Sequence, residues 1–344
     1  MSLEQGAGAV AVAAIVMYTI FAGADFGGGI WTLLAWGPRK GEQRNALERA
    51  IGPVWETNHV WLILLVVTLF VAFPAAYAAI FTALYVPLFI ALLGIVARGA
   101  AFAFRHYSTS GSGLARLSLR PFSVASVLTP FAFGVTIGAV TGGHIRVDGA
   151  NVASGAFAGW LEPFSLLCGL IGLLLCALLA AAYMIPRTDG DLQRDFRRRA
   201  IASSLALGVV TTAAIPIAHW NARAFADELT IGSVLAVMAA TACVGLATLV
   251  LLSRGHSTWV PVFAAATAAG VVLSWALAQS PHLITPGLTL QQAAAPDFTV
   301  KSFLIALPFG SAILVPSLVL LYFTFSRDVF HDAETPVGEP PAKP

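Results

Sequence analysis

The chain has 344 residues, of which 58% are apolar and only 10% charged; an ordinary soluble domain carries roughly 25% charged residues. Nineteen basic and 17 acidic side chains leave a net charge of +2, and the mean hydropathy is +0.82. So little charge cannot clothe so much apolar mass in water, which excludes a soluble enzyme, a disordered chain and a nucleic-acid binder, and leaves an all-α integral membrane protein.

A helix needs about 20 apolar residues to cross a bilayer. In chain order the apolar runs predict nine spans at about 8–35, 57–76, 79–104, 122–142, 161–185, 200–220, 231–252, 259–279 and 302–325. No Lys or Arg precedes Arg39, so the first run lacks the positive start of a secretory signal and reads as a retained helix. The second and third runs together are too long for one helix, and Pro74 supplies the break between them. Residues 1–330 read as a single transmembrane domain. Residues 331–344, rich in Pro and charge, read as a flexible tail on the inner side.

Nine spans put the two ends on opposite sides. Fifteen Lys and Arg fall in the loops after spans 1, 3, 5 and 7 and in the C-terminal tail, against three (Arg146, Arg223 and Lys301) on the other side. The positive-inside rule therefore places the N-terminus outside and the C-terminus inside. The loop at 186–199, with five arginines beside Asp189, Asp191 and Asp195, reads as a solvated segment that fixes this topology.

Ionisable groups within spans cost about 2.5–3.5 kcal/mol each on insertion scales, so each needs a reason. Asp25 falls in span 1, Glu56 at the start of span 2 and Arg98 in span 3. The expected orientation sets all three toward the inner side, within about two or three helical turns in depth. Two readings stay open. The acids neutralise Arg98 and fix the packing of spans 1–3, or they carry protons inward from the inner surface with trapped water. Asn58 is placed to hold Glu56 or cap its helix. Gly23 and Gly27 form a small face that admits a close helix neighbour, and Trp55 and Trp61 read as packing or interfacial anchors.

Three cysteines and seven histidines show no ligand spacing, so no metal site and no catalytic redox centre is expected in this chain. Secondary transport through the Asp25, Glu56 and Arg98 cluster is an alternative, although no internal repeat of the kind common in carriers is visible.

One stretch is more specific. Gly52-Pro53-Val54-Trp55-Glu56-Thr57-Asn58-His59-Val60-Trp61-Leu62-Ile63 resembles the G-P-V-W-D-G-N-x-V-W-L-I signature of subunit II of the cytochrome bd quinol oxidases. Phe73-Pro74-Ala75-Ala76-Tyr77-Ala78 is similar to that family's W-P-x-x-Y-A turn. Ala97-Arg98-Gly99, with Phe102 and Arg105, is similar to its R-P-x-x-F-x-x-R segment. Ala22-Gly23-Ala24-Asp25-Phe26-Gly27-Gly28-Gly29 is similar to its D-G-F-D-x-G-x-G run. Glu162-Pro163-Phe164 and Leu314-Val315-Pro316 match in the same order. The chain departs from the pattern at Ala22, where the family has a first acid, and at Glu56 and Thr57, where it has Asp-Gly. Those departures imply a rearranged or weaker proton path.

The resemblance implies two four-helix bundles plus one extra helix. It implies a subunit I partner holding haems b and d, or b alone, within a complex that reduces oxygen to water with quinol electrons and cytoplasmic protons. It leaves room for a structural quinone and for a small single-span subunit, and sets the complex in the cytoplasmic membrane of a bacterium or archaeon. For this chain it implies a haem-free scaffold that lines a proton path through Asp25 and Glu56 with Arg98 tuning it. A purely structural subunit remains the other reading.

Overall fold

The computed structural model describes residues 2–51, 55–106, 113–148, 151–155, 157 and 159–331. Helix α1 (Leu3–Leu33) starts on a capping box: Gln5 donates its backbone N–H to the Ser2 hydroxyl and accepts from the Ser2 backbone at 3.0 Å. It ends before Gly37, whose φ of +81° turns the chain into Pro38. A short surface helix, α2 (Lys40–Ile51), follows where the sequence suggested only a loop; it buries Gln43 and Leu47.

Helix α3 (Trp55–Ala72) stops at Phe73, because Pro74 has no N–H to continue the ladder. Pro74 instead opens α4 (Pro74–Ala83), which leaves α3 at a bend of 118°. The freed carbonyl of Ala72 accepts the Ala295 backbone N–H at 2.8 Å, so the break carries no orphan there. The next helix, α5 (Tyr85–His106), starts after this elbow, so residues 79–83 belong to α4 and not to the third long helix.

The rest of the chain alternates long helices with short connections. Helix α6 (Gly113–Thr141) leads through the antiparallel pair β1 (Val147–Asp148) and β2 (Asn151–Val152) to α7 (Pro163–Met184). Helix α8 (Gly190–Asn221), the one-turn-plus α9 (Arg223–Glu228), α10 (Gly232–Ser253) and α11 (Val260–Gln279) follow. A second hairpin, β3 (His282–Ile284) with β4 (Leu288–Thr289), precedes α12 (Leu290–Ala293) and α13 (Asp297–His331).

Among the described residues seven helices are long and apolar enough to cross a membrane: α1, α7, α8, α10, α11, and the apolar parts of α6 and α13. The bent α3–α4 pair passes the same test jointly, and Tyr85–Ala101 of α5 is a shorter apolar helix. Residues 332–344, expected to form a tail, lie outside the described residues.

Helix α1 packs against α3, α6 and α7, and α5 lies along α6. On the other side of α7 stand α8, α10 and α11, with α11 also touching α1. Helix α13 rests on α1 and α3. Two apolar clusters mark the ends: Ala7, Phe73, Leu84, Ile284 and Val300 at the elbow end, and Leu47, Leu178, Ile185, Phe196 and Leu252 at the α2 end. The outer faces carry exposed Phe89, Val209, Leu246, Phe309 and Ile313, as lipid contact requires.

One close helix approach joins α1 to α7. A Cβ on Gly27 would fall 1.9 Å from the Cys176 carbonyl oxygen and 2.6 Å from the Ala180 Cβ. Gly27 thus lets two backbones touch, the usual way membrane helices gain packing contact when lipid offers no hydrophobic drive.

Candidate functional site

The site is built where α1, α3, α5 and α6 converge on their apolar interior faces. Asp25 on α1 is 6% exposed and Arg98 on α5 is 3% exposed. Arg98 Nη2 forms an ion pair and hydrogen bond with Asp25 Oδ1. Its Nη1 donates to the Ser126 hydroxyl on α6 at 2.7 Å and, more weakly, to the Asp25 backbone carbonyl at 3.4 Å. Ser126 donates in turn to the Phe122 carbonyl at 2.7 Å. The guanidinium lies between two rings, 4.7 Å from the Phe26 centroid and 4.5 Å from that of Phe122. These contacts place an unscreened cation in a pocket of π-faces with one anion and one hydroxyl.

Asn58 on α3, 4% exposed, lies beside the Asp25 carboxylate. The Tyr18 ring on α1 sits 6.3 Å from the His59 ring, 6.5 Å from Phe26 and 5.8 Å from Phe133. Its hydroxyl is buried, and so is the Thr129 Oγ1; neither has a partner among the described residues. Buried polar atoms of this kind are the places where ordered water sits.

The expected residues divide as follows. Asp25, Arg98 and Asn58 are brought together. Glu56 and Trp55 occupy the first turn of α3, and their side chains lie outside the described residues. Trp61 stacks on Phe21 with centroids 6.4 Å apart and planes 10° from parallel. Gly23 and Gly27 face α7, where Leu179 and Cys176 meet them, and Pro74 forms the elbow.

Ser126, Phe122, Tyr18 and Thr129 complete the surroundings and carried no sequence signal. A lone hydroxyl or ring is ordinary in a span. Only the rarity of charge made its neighbours visible. Substituting Ser126 by alanine leaves the buried Arg98 Nη1 without its short acceptor. The expected loss is about 1–3 kcal/mol, read as a lower Tm of the purified complex.

A multi-pass helical membrane protein with a buried acid–arginine pair between its first helices is the class these features define. The family described as cytochrome bd terminal oxidase subunit II matches residues 3–325, and the chain belongs to that family.

Its relatives include the cytochrome bd ubiquinol oxidase subunit 2 of Bacillus subtilis, 28% identical over 323 residues, which span 90% of this chain and 91% of the relative. They also include the cytochrome bd-I ubiquinol oxidase subunit 2 of Escherichia coli K12, 24% identical over 343 residues, which span 90% and 89%. The fold is similar to that of a chain in the solved bd oxidase of Geobacillus thermodenitrificans, with a TM-score of 0.75 at 22% identity, covering 94% of this chain and 99% of that one. The protein is therefore a membrane-embedded part of an oxidoreductase complex, and its standing as subunit II implies a subunit I partner.

Proposed function

We propose that this chain scaffolds a haem-bearing subunit I and carries protons from the inner membrane face toward the site where that partner reduces oxygen with quinol electrons. The buried Asp25–Arg98 pair is the observation that carries the reading. An apolar bundle has little reason to bury two charges for stability alone, because apolar side chains of the same volume hold it as well or better. Intramembrane acids mark ion and proton paths.

In this reading Glu56 receives a proton at the inner end of α3 and passes it through water to the Asp25 carboxylate. Asn58 and Arg98 hold that carboxylate in place, and Ser126 holds Arg98. The Tyr18 and Thr129 hydroxyls offer further water sites. The family implies haems in the complex. Among the described residues no group of three or more His, Cys, Asp or Glu side chains could hold a metal ion. In this reading haems b and d, or b alone, belong to subunit I. The same reading gives nine spans, the N-terminus outside, the C-terminus inside, and a home in the cytoplasmic membrane of a bacterium or archaeon.

A structural role competes, and one feature favours it: Arg98 is well satisfied by a carboxylate, a hydroxyl and two rings. The test is a tagged chain purified with its partners. The haem spectrum of the complex reports assembly, and quinol-driven oxygen consumption reports turnover. Glu56→Gln is expected to keep the haem spectrum and lower turnover. Unchanged turnover in assembled Glu56→Gln and Asp25→Asn complexes would leave only the scaffold.

A further inference from the structure

The α2 end of the molecule holds a second polar constellation that the proton path does not use. Residues 190–199, which read as a solvated loop, are the first turns of α8. Asp195 on this helix accepts from Arg39 twice, at 2.9 Å from Nε and 2.8 Å from Nη2, and from Gln43 Nε2 at 3.0 Å. That hydrogen-bonding holds the Arg39 guanidinium further above its usual range, so Arg39 and Asp195 cancel as a pair.

Arg199 makes no ion pair among the described residues, although the Asp195 charge reaches it. It is 8% exposed, and its Nη2 donates to the neutral Gln43 Oε1 at 2.6 Å. Its guanidinium lies over Trp31 at 5.0 Å and Phe196 at 5.4 Å. Its Nη1 is buried with no acceptor among the described residues.

Arg199 lines a groove of about 530 Å³ together with exposed Arg198. Among the described lining residues Asp195 is the one carboxylate, and Arg39 already occupies it. One wall is apolar: Trp31, Leu34 and Trp36, the last 78% exposed. The lining therefore keeps two guanidinium charges in excess of its carboxylate, beside a tryptophan-rich wall, a match for a phosphate anion on an apolar tail.

We propose that this groove binds the phosphate group of an anionic phospholipid from the inner leaflet. Arg199 Nη1 and Arg198 meet the phosphate oxygens, and Trp36 and Leu34 meet the glycerol and upper acyl chain. The shared chemistry is a phosphate anion, which free phosphate also supplies, so the test separates the two.

The intact oxidase complex is exchanged into nanodiscs of phosphatidylcholine with a fraction of phosphatidylglycerol, and the lipid it retains is counted by native mass spectrometry. Wild type is expected to enrich phosphatidylglycerol. Arg198→Glu, an exposed change of two charge units, is expected to weaken that preference roughly 30-fold at low salt, with the haem spectrum unchanged. Added salt should shrink the wild-type preference. If inorganic phosphate fails to displace the retained phosphatidylglycerol, the lipid is the ligand. If it displaces it and binds in its place, the site stands with a soluble phosphate as ligand and the lipid assignment falls. Equal retention of the two lipids by wild type and Arg198→Glu would overturn the site altogether.

Discussion

Arg98→Met alone is expected to deplete the membrane of assembled oxidase. The substitution strands the Asp25 carboxylate in an apolar interior, with the Asn58 side chain as its polar neighbour. Removing one partner of a buried ion pair costs about 3–5 kcal/mol, a large part of the roughly 5–15 kcal/mol that holds a typical fold together. Asp25→Asn alone is expected to hurt for the mirror reason, since it leaves a guanidinium between Phe26 and Phe122 with no anion.

The double variant Asp25→Asn with Arg98→Met removes both charges at once. It is expected to recover most of the haem content that either single variant loses. Haem absorbance per unit of tagged chain, compared across wild type, both singles and the double, gives the coupling directly. If the two losses simply add in the double variant, the pair is not the unit that holds these helices.

The second large effect is steric. Gly27→Leu is expected to separate α1 from α7, because even the first carbon of the new side chain would overlap the Cys176 carbonyl at 1.9 Å. Backbone cannot swing aside as a flexible side chain can, so the cost exceeds the usual ~1–3 kcal/mol of overpacking. Displacing α1 also moves Asp25, two residues away. Gly208→Leu on α8 is the control: that glycine is exposed and a Cβ there meets nothing within 4 Å. Detergent-solubilised yield of haem-loaded complex should collapse for Gly27→Leu and hold for Gly208→Leu. Equal yields would show that the α1–α7 contact does not limit assembly.

What could be read in advance followed from scarcity. With 36 charged residues in 344, a charge within an apolar run stands out, so Asp25 and Arg98 were legible before any fold was known. Pro74 was legible for a similar reason, since its missing N–H forces the elbow wherever α3 runs. Abundant residue types were not. Ser126 and Phe122 look like any other serine and phenylalanine in a span, and only the packing of α6 against α5 selects them. Arg199 was hidden in a different way. It sits in a run of arginines whose sum argues topology, and nothing in the run tells that one member turns inward over Trp31 while Arg198 faces out. Helix α2 escaped because its apolar content is a single face carrying Leu47, too short to read as a span.

In the proposed path the Asp25 carboxylate handles protons rather than merely neutralising Arg98. Quinol-driven oxygen consumption by the assembled Asp25→Asn, Arg98→Met complex, normalised to its haem absorbance, separates the two. Charge balance is preserved there, so a structural role is satisfied, yet the carboxylate is gone. A normal haem spectrum is expected with turnover lowered roughly 100-fold, the scale of losing a positioned proton-transfer group. A normal spectrum with wild-type turnover would contradict the proposed path.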